Sequence, residues 1–327
     1  NVYWKTLHTP NVNAEEGLLG LQKDPDFAKN HFIYLYYSPA DTSVNRLSRF
    51  TFENDTIDLK SEKMILEFYE QREMCCHTGG SIAFGKDRML YLSTGDNTTP
   101  FDERGQQFAS HGYAPLDDRP GHEHFDDRRS AGNTNDLRGK ILRINLSEQG
   151  TYSIPENNLF PKGTDKTKPE IYVMGDRNPY RISVDQKNGF LYWGEVGPDA
   201  NNDSMDTRGP RGYDEINQAR KPGFFGWPLF IANNIPYRAY DYATGKSGDA
   251  FDPAEQKRCD QRPRQAAQSA QHADGEDAAD IISAGRRDDR LDDDEEGAGQ
   301  RRGGDRYAKG DPLDARRIDR HQLQRQR

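Results

Sequence analysis

The strongest constraint on this chain is a strand-turn-strand pattern that returns three times. Residues 20–38 read GLQKDPDFAKNHFIYLYYS, residues 81–96 read SIAFGKDRMLYLSTGD and residues 181–196 read RISVDQKNGFLYWGEV. Each window holds an alternating apolar strand, a turn carrying Asp and Lys, and a hydrophobic-aromatic strand. Turn residues bracketing runs of period two are the signal of a β-hairpin. The pairs Ile33-Tyr34, Leu90-Tyr91 and Leu191-Tyr192 lie 57 and 101 residues apart. The second gap fits two units of about 50 residues, and the strand Gly139-Lys140-Ile141-Leu142-Arg143-Ile144-Asn145 is expected to belong to the unit between. A repeat of roughly 40–50 residues built only of short strands predicts an all-β protein of the β-propeller kind. No long stretch has the helical period, which disfavours helical solenoids. An irregular β-sandwich is the alternative. Residues 1–253 should cover four to five such units, so a closed propeller of six needs more chain at one or both ends. Open sheet edges would then invite aggregation.

Composition divides the chain in two. Residues 1–253 hold 33 of the 34 aromatics and all five Met, whereas residues 254–327 hold one aromatic, Tyr307. The later segment carries 17 acidic and 16 basic residues, so the net charge of −9 comes mostly from the first part. Two readings of 254–327 stand. One is a disordered charged tail, which its low hydrophobicity favours. The other is an out-of-frame translation, because the segment uses 14 Arg but only two Lys. Neither reading predicts a packed core there, and Asp292-Asp293-Asp294-Glu295-Glu296 reads as a solvated charge run. The acidic balance excludes a basic nucleic-acid footprint. No apolar run reaches the roughly 18 residues of a membrane span. The chain opens on Asn1-Val2-Tyr3-Trp4 with no signal peptide and is read as a fragment. Three cysteines make no disulfide scaffold.

Several turn-proximal polar residues have the right chemistry for a site. His77 precedes one strand of a hairpin and Asp96 follows its partner, so one hairpin can bring both to the same end of a sheet. A carboxylate beside an imidazole holds its tautomer and raises its basicity, as a general base requires. A turn histidine and a capping aspartate are the plainer account. Gly175-Asp176-Arg177-Asn178-Pro179 places a guanidinium and an amide in a rigid turn, suited to a carboxylate or a developing oxyanion. A structural inter-sheet salt bridge is the plainer account here too. The loops after Glu195, with Asp199, Asp203, Asp206, Asp214 and Glu215, are rich enough in oxygen for calcium. His122 and His124 form a weak H-x-H. Asn133-Thr134-Asn135-Asp136 reads as a loop turn. Cys75 and Cys76 are either a strained redox pair or two buried thiols.

Taken in order, these segments resemble the glucose/sorbosone dehydrogenase family. Glu16-Gly17-Leu18-Leu19-Gly20, Asp24-Pro25-Asp26-Phe27 and Phe32-Ile33-Tyr34-Leu35-Tyr36-Tyr37 resemble its opening. His77-Thr78-Gly79-Gly80 with Gly95-Asp96, Gly139 to Ile144, and Arg177-Asn178-Pro179 match further motifs. Gly194-Glu195-Val196-Gly197-Pro198 and Asp214-Glu215-Ile216-Asn217 with Gly226-Trp227-Pro228 complete the set. The resemblance spans residues 14–253 and looks most like a secreted bacterial branch often joined to cytochrome c domains.

The resemblance implies a six-bladed β-propeller of the soluble quinoprotein glucose dehydrogenase type, incomplete in this chain. Residues 1–253 would be the partial propeller and 254–327 the charged tail. It implies pyrroloquinoline quinone (PQQ) and calcium as cofactors, and a sugar or polyol substrate oxidised by hydride passage to the quinone. His77 corresponds to the general base, Asp96 to its supporting carboxylate, and Arg177 to the residue polarising the quinone carbonyl. Asn178 corresponds to a neighbour of the cofactor, and Glu15 stands at a cofactor-side position where the family has glutamine. The carbonyls of Gly197 and Pro198 correspond to calcium ligands, and Glu215 to a structural calcium ligand. The chain departs from the soluble glucose dehydrogenases at Val196, where they have glutamine, and at Cys76, where they have a polar residue. A periplasmic or extracellular location and a cytochrome c electron acceptor are also implied. A non-catalytic propeller that binds a glycan or protein, and a calcium-dependent lactonase or hydrolase, are the other functions weighed.

Overall fold

The computed structural model describes residues 15–72, 75–253 and 282–283. All of them fall in one compact unit, 1–285. The first sheet is an antiparallel meander of β1 (Leu18–Lys23), β2 (Phe32–Tyr37), β3 (Val44–Glu53) and β4 (Thr56–Tyr69). The second runs through β5 (Gly79–Phe84), β6 (Leu90–Thr94), β7 (Lys140–Leu146) and β9 (Ile171–Met174), with β8 (Tyr152–Ser153) beside β7 and β13 (Gly223–Phe224) parallel to β9. The third is β10 (Pro179–Val184), β11 (Leu191–Glu195) and β12 (Glu215–Ala219), with β18 (Ile282–Ser283) on its edge. Two hairpins, β14–β15 (230–231 with 235–236) and β16–β17 (238–241 with 246–250), complete the described strands. The architecture is all-β and of the propeller kind, as expected. Apart from β18, the expectations for residues 254–327 lie outside the described residues.

The sequence explains why these sheets stack as blades. Residues 90–94 and 171–174 are buried at every position, so both faces of the sheet are covered. Strand alternation then divides one strand between two cores. Leu90, Leu92, Leu142 and Ile144 pack with Tyr34, Leu47 and Leu66 of the first blade. Tyr91 and Ile141 point the other way, into Val184, Leu191 and Trp193 of the third. The first hairpin is tied by its turn: Asp24 accepts from the Asp26 N–H at 2.8 Å, from Asn30 at 2.9 Å and from the Tyr34 hydroxyl at 2.7 Å.

One expectation is corrected. The strand at Lys140–Leu146 is not a unit between the second and third hairpins. It is the third strand of the second blade, in register with β6 as Leu92 opposite Leu142. The 101-residue gap holds a long loop, residues 95–139, rather than a further blade. That loop contains short 3-10 turns at Glu123–Phe125 and Asp127–Arg129 and an isolated antiparallel bridge between Leu116 and Asp126. It is held by a separate apolar cluster that includes Ala114, Leu116, Ala131, Trp227, Phe230 and Tyr237. The described part of 15–253 therefore holds three sheets, of four, six and three strands, and two hairpins instead of four to five repeats.

Candidate active site

The second hairpin builds the centre of the site. Its register pairs Gly79 with Thr94, so the residues two positions beyond, His77 and Asp96, leave the sheet together. Gly95 lets them come close: a Cβ there would lie 1.9 Å from the His77 carbonyl oxygen, which no side chain tolerates. The His77 carbonyl in turn accepts the Asn97 N–H at 3.2 Å. His77 Nδ1 meets Asp96 Oδ1 at 2.8 Å, with both side chains buried. Asp96 Oδ1 also accepts the Thr98 N–H at 2.9 Å, and Asp96 Oδ2 accepts Trp227 Nε1–H at 3.0 Å. An Asp96 carboxylate so held takes its bond from Nδ1–H, which leaves the lone pair of His77 on Nε2.

The next turn supplies the cation. The Arg177 carbonyl accepts the Asp96 N–H at 2.8 Å, joining the second blade to the entry of β10. Glu195 Oε1 accepts the backbone N–H groups of Arg177 at 2.8 Å and Asn178 at 2.6 Å, which fixes this turn. The guanidinium of Arg177 donates from Nη1 to the Val196 carbonyl at 3.1 Å and stacks 5.9 Å from the Trp227 ring. Arg177 is 5% exposed, and among the described residues no carboxylate lies within ion-pair distance of it. Glu15 and Asn178 form a second layer. Glu15 Oε2 accepts from the Thr78 N–H at 3.1 Å and from Asn178 Nδ2 at 3.2 Å, while Asn178 Oδ1 accepts the Gly79 N–H at 3.0 Å.

Burial sets the protonation states. Desolvation, reinforced by the Arg177 cation, holds His77 well below its ordinary value, so it is a neutral base at pH 7. Desolvation raises Asp96. The same cause pushes Asp127, fully buried, well above the carboxylate range.

The expected calcium ligands do not form a cage from this chain's own atoms. Glu215 accepts from the Ala232 N–H through one oxygen and from Asn217 Nδ2 at 3.1 Å through the other. The side chain that reaches the Gly197-Pro198 loop is instead Asp214, which accepts the Gly197 N–H at 2.9 Å. Two backbone carbonyls fall short of the roughly six to eight oxygens calcium takes. Among the described residues no group of three His, Cys, Asp or Glu side chains could hold a metal ion. His122 is occupied by Glu103 at 3.2 Å and Asp117 at 3.3 Å. Asn133 closes a loop turn by accepting the Asn135 N–H at 2.9 Å. Cys75 and Cys76 are bonded to each other, directly before His77.

Three site residues escape a reading of the sequence. Trp227 lies 131 positions from Asp96. Glu195 looked like part of an oxygen-rich metal loop and instead caps backbone donors. Asp127 sits in His124-Phe125-Asp126-Asp127-Arg128-Arg129, a segment whose sequence carries no site motif. Only the Gly-Trp-Pro motif carried a signal.

The chain is 26% identical over 249 residues to quinoprotein glucose dehydrogenase B of Acinetobacter calcoaceticus, covering 72% of this chain and 46% of that protein. It is 26% identical over 226 residues to aldose sugar dehydrogenase YliI of Escherichia coli, covering 67% and 47%. It is 28% identical over 187 residues to human Hedgehog-interacting protein, covering 53% and 23%. The chain thus spans about half the length of these bacterial relatives. The family model for glucose/sorbosone dehydrogenase matches residues 5–114 and 121–256, and on that match the chain belongs to the glucose/sorbosone dehydrogenase family.

Proposed function

We propose that this chain carries the base and cofactor-side residues of a PQQ-dependent sugar or polyol dehydrogenase. The observation that carries the reading is a neutral His77 paired with buried Asp96 at 2.8 Å, beside a buried guanidinium without a carboxylate partner among the described residues. A buried cation left uncompensated is costly. A cofactor that bears carboxylates would supply the missing charge, so Arg177 fits PQQ. When bound, PQQ supplies the two-electron acceptor. His77 Nε2 takes the proton of a sugar hydroxyl, and Asp96 stabilises the imidazolium that results through Nδ1–H. Arg177 binds the anionic cofactor and favours negative charge developing near it. Glu15 and Asn178 hold the floor of the site through Thr78 and Gly79. Calcium, implied by the resemblance, enters no step.

The similarity to both bacterial sugar dehydrogenases supports a sugar substrate, and a periplasmic or extracellular location is part of the same proposal. Among the described residues no helix is long and apolar enough to cross a membrane. A cytochrome c domain or protein is the electron acceptor we propose. A second reading, a non-catalytic propeller that binds a protein, draws support from the similarity to Hedgehog-interacting protein.

The test is PQQ uptake and turnover. Quinone absorbance should change on adding PQQ to the purified chain, and Arg177→Met should weaken that binding about 10- to 100-fold. With an artificial electron acceptor and a sugar panel, His77→Ala should lower kcat by about 10²- to 10⁴-fold while the circular dichroism stays unchanged. A chain that neither binds PQQ nor oxidises a sugar overturns the enzyme reading and leaves the binding module.

A further inference from the structure

A cavity of about 270 Å³ lies between the second and third blades. It sits at the end of the sheets away from His77. His77 and Asp96 leave the second hairpin where Gly79 pairs with Thr94, whereas Lys86 and Asp87 lie in the turn at its other end, where Phe84 pairs with Leu90. The six residues of β5 separate the two ends by about 20 Å, at roughly 3.3 Å each. The third blade brings its own turn, after Val184 opposite Leu191, and the residues that follow Ala219 at the end of β12. The two turns are fastened to each other. Lys86 Nζ donates to the Lys187 carbonyl at 3.3 Å, and Gln186 Nε2 donates to the Phe84 carbonyl at 2.9 Å. The cavity is therefore built into the blade interface.

Its lining is positive in a molecule of net charge −9. Lys86, Arg143 and Lys221 line it, and Asp87 is the one carboxylate among the described lining residues. Asp87 is already committed, with Oδ2 accepting from Arg143 Nη2 at 2.9 Å and Oδ1 from the Met89 N–H at 3.1 Å. Arg143 Nη1 donates to the Glu156 carbonyl at 3.1 Å. Its Nε is buried and meets no acceptor, so the guanidinium lacks a partner for one strong donor. Lys86 is spent on a carbonyl, which leaves its charge uncompensated. Lys221 meets no carboxylate among the described residues. Arg220 also lines the cavity, but donates to Gln218 Oε1 at 2.7 Å and lies 5.4 Å from the Phe190 ring. Tyr91 and Tyr172 form an apolar wall, edge to face at 5.5 Å, and the Arg143 guanidinium lies 5.4 Å from the Tyr172 ring. Burial raises both phenols, so both stay neutral. A cleft lined by one sign of charge with such walls concentrates ions of the opposite sign.

We propose that this cavity binds a small organic polyanion, one carrying at least two carboxylate or phosphate groups, between Lys86 and Arg143 of the second blade and Lys221 of the third. Its volume is just under the roughly 300–1,000 Å³ of drug-sized sites, which selects a small molecule over a folded partner. Two anionic groups are needed because the two lysines come from different blades. A ligand that joins blades binds the folded chain alone and so stabilises it by mass action. The site is separate from His77 and Arg177 and stands whether or not the chain is a dehydrogenase.

The test is isothermal titration calorimetry on the full 327-residue chain without PQQ or calcium, using citrate, glucose 6-phosphate, inorganic phosphate and glucose. Citrate or glucose 6-phosphate should bind with Kd below about 1 mM, and glucose should not bind. Tighter citrate assigns the site to carboxylates, and tighter glucose 6-phosphate assigns it to phosphates. Raising the salt from about 50 to about 200 mM should weaken binding several-fold. The double substitution Lys86→Ser, Lys221→Ser should weaken it about 10- to 100-fold, with circular dichroism unchanged. Lys221→Glu alone should give a loss in the same sense, which keeps the test usable if the double variant fails to fold. Arg177→Met should leave citrate binding as it is, and the double lysine variant should leave PQQ uptake as it is. The proposal is overturned if neither polyanion binds, if glucose binds equally, or if inorganic phosphate binds as tightly as both. Binding that survives the lysine substitutions and disappears with Arg177→Met also overturns it, since the anion then sits in the candidate active site. Loss of PQQ uptake or turnover alone counts against the proposed function and leaves this site standing.

Discussion

At the scale of single residues, the site works by gathering donors onto the carboxylate beside the base. Asp96 shows this best. Its two oxygens collect His77 Nδ1, the Thr98 N–H and Trp227 Nε1. Trp227 is the distant member and also packs edge-on against Tyr237, 5.9 Å between ring centres. Trp227→Phe keeps much of the ring but removes the donor to Oδ2. An acceptor left unpaired in a dry site costs roughly 1–3 kcal/mol. Urea unfolding should show a loss of that size. The turnover of the variant should fall through kcat more than KM, because Asp96 supports the base and does not touch the sugar. Unchanged stability would mean that water replaces the indole donor.

At the scale of elements, hairpins were legible and their assembly was not. The Asp- and Lys-bearing turns and the aromatic runs placed β1–β2, β5–β6 and β10–β11 correctly, and with them the shared exit of His77 and Asp96. Local alternation carries that information. The place of β7 was misread because a spacing count cannot tell an inserted loop from a blade. The loop 95–139 is polar and charged, with no strand alternation to mark its place in the fold. Yet it buries Asp127 and delivers the residues before β7 to the site. Its anchor is Lys140, wholly buried, whose ammonium donates to three carbonyls at 2.7–3.1 Å. Desolvation lowers Lys140 from 10.5 to about 8. A lysine whose folded value lies below its unfolded one binds its proton more tightly when unfolded. Its contribution to stability therefore rises with pH across the window from 8 to 10.5. Lys140→Met removes the donor to the Ala131 and Arg138 carbonyls and one of two donors to the Ser130 carbonyl, and should cost roughly 2–4 kcal/mol at pH 7. The stability gap between wild type and this variant should widen from pH 8 to pH 10, read from paired urea unfolding curves. A gap that stays constant across that range contradicts a buried, easily deprotonated ammonium.

At the scale of the whole molecule, what stands out is how many carboxyls the blade ends bury. Burial raises Glu70, Asp96, Asp127, Asp176, Glu195 and Glu215 above their ordinary values of 3.8 to 4.5. A carboxyl raised in the folded state holds its proton better there than in the unfolded chain. The stabilisation is fully present below the unfolded value and is lost as pH rises through the folded one. His77 works the other way: held below its ordinary 6.5, it weakens the fold as pH falls. Asp136, lowered by Arg138, acts in the same sense as His77. Burial raises Glu16 and Asp126 too, while His124, Glu123, Asp241 and Lys140 are lowered like His77 and Asp136; the raised carboxyls outnumber the lowered groups, so the described unit should be more stable at pH 5 than at pH 8. The net charge of −9 at pH 7 adds to this trend, because protonation relieves self-repulsion. Urea midpoints measured at pH 5, 6.5 and 8 should fall in that order. A midpoint that rises toward pH 8 would mean that these carboxyls are ionised in the fold, each with a counterion. The raised carboxyls are grouped around Asp96 and Glu195, the residues that hold His77 and the Arg177 turn. Asp96→Asn or Glu195→Gln should therefore flatten the pH dependence, whereas a substitution at exposed Glu53 should leave it intact.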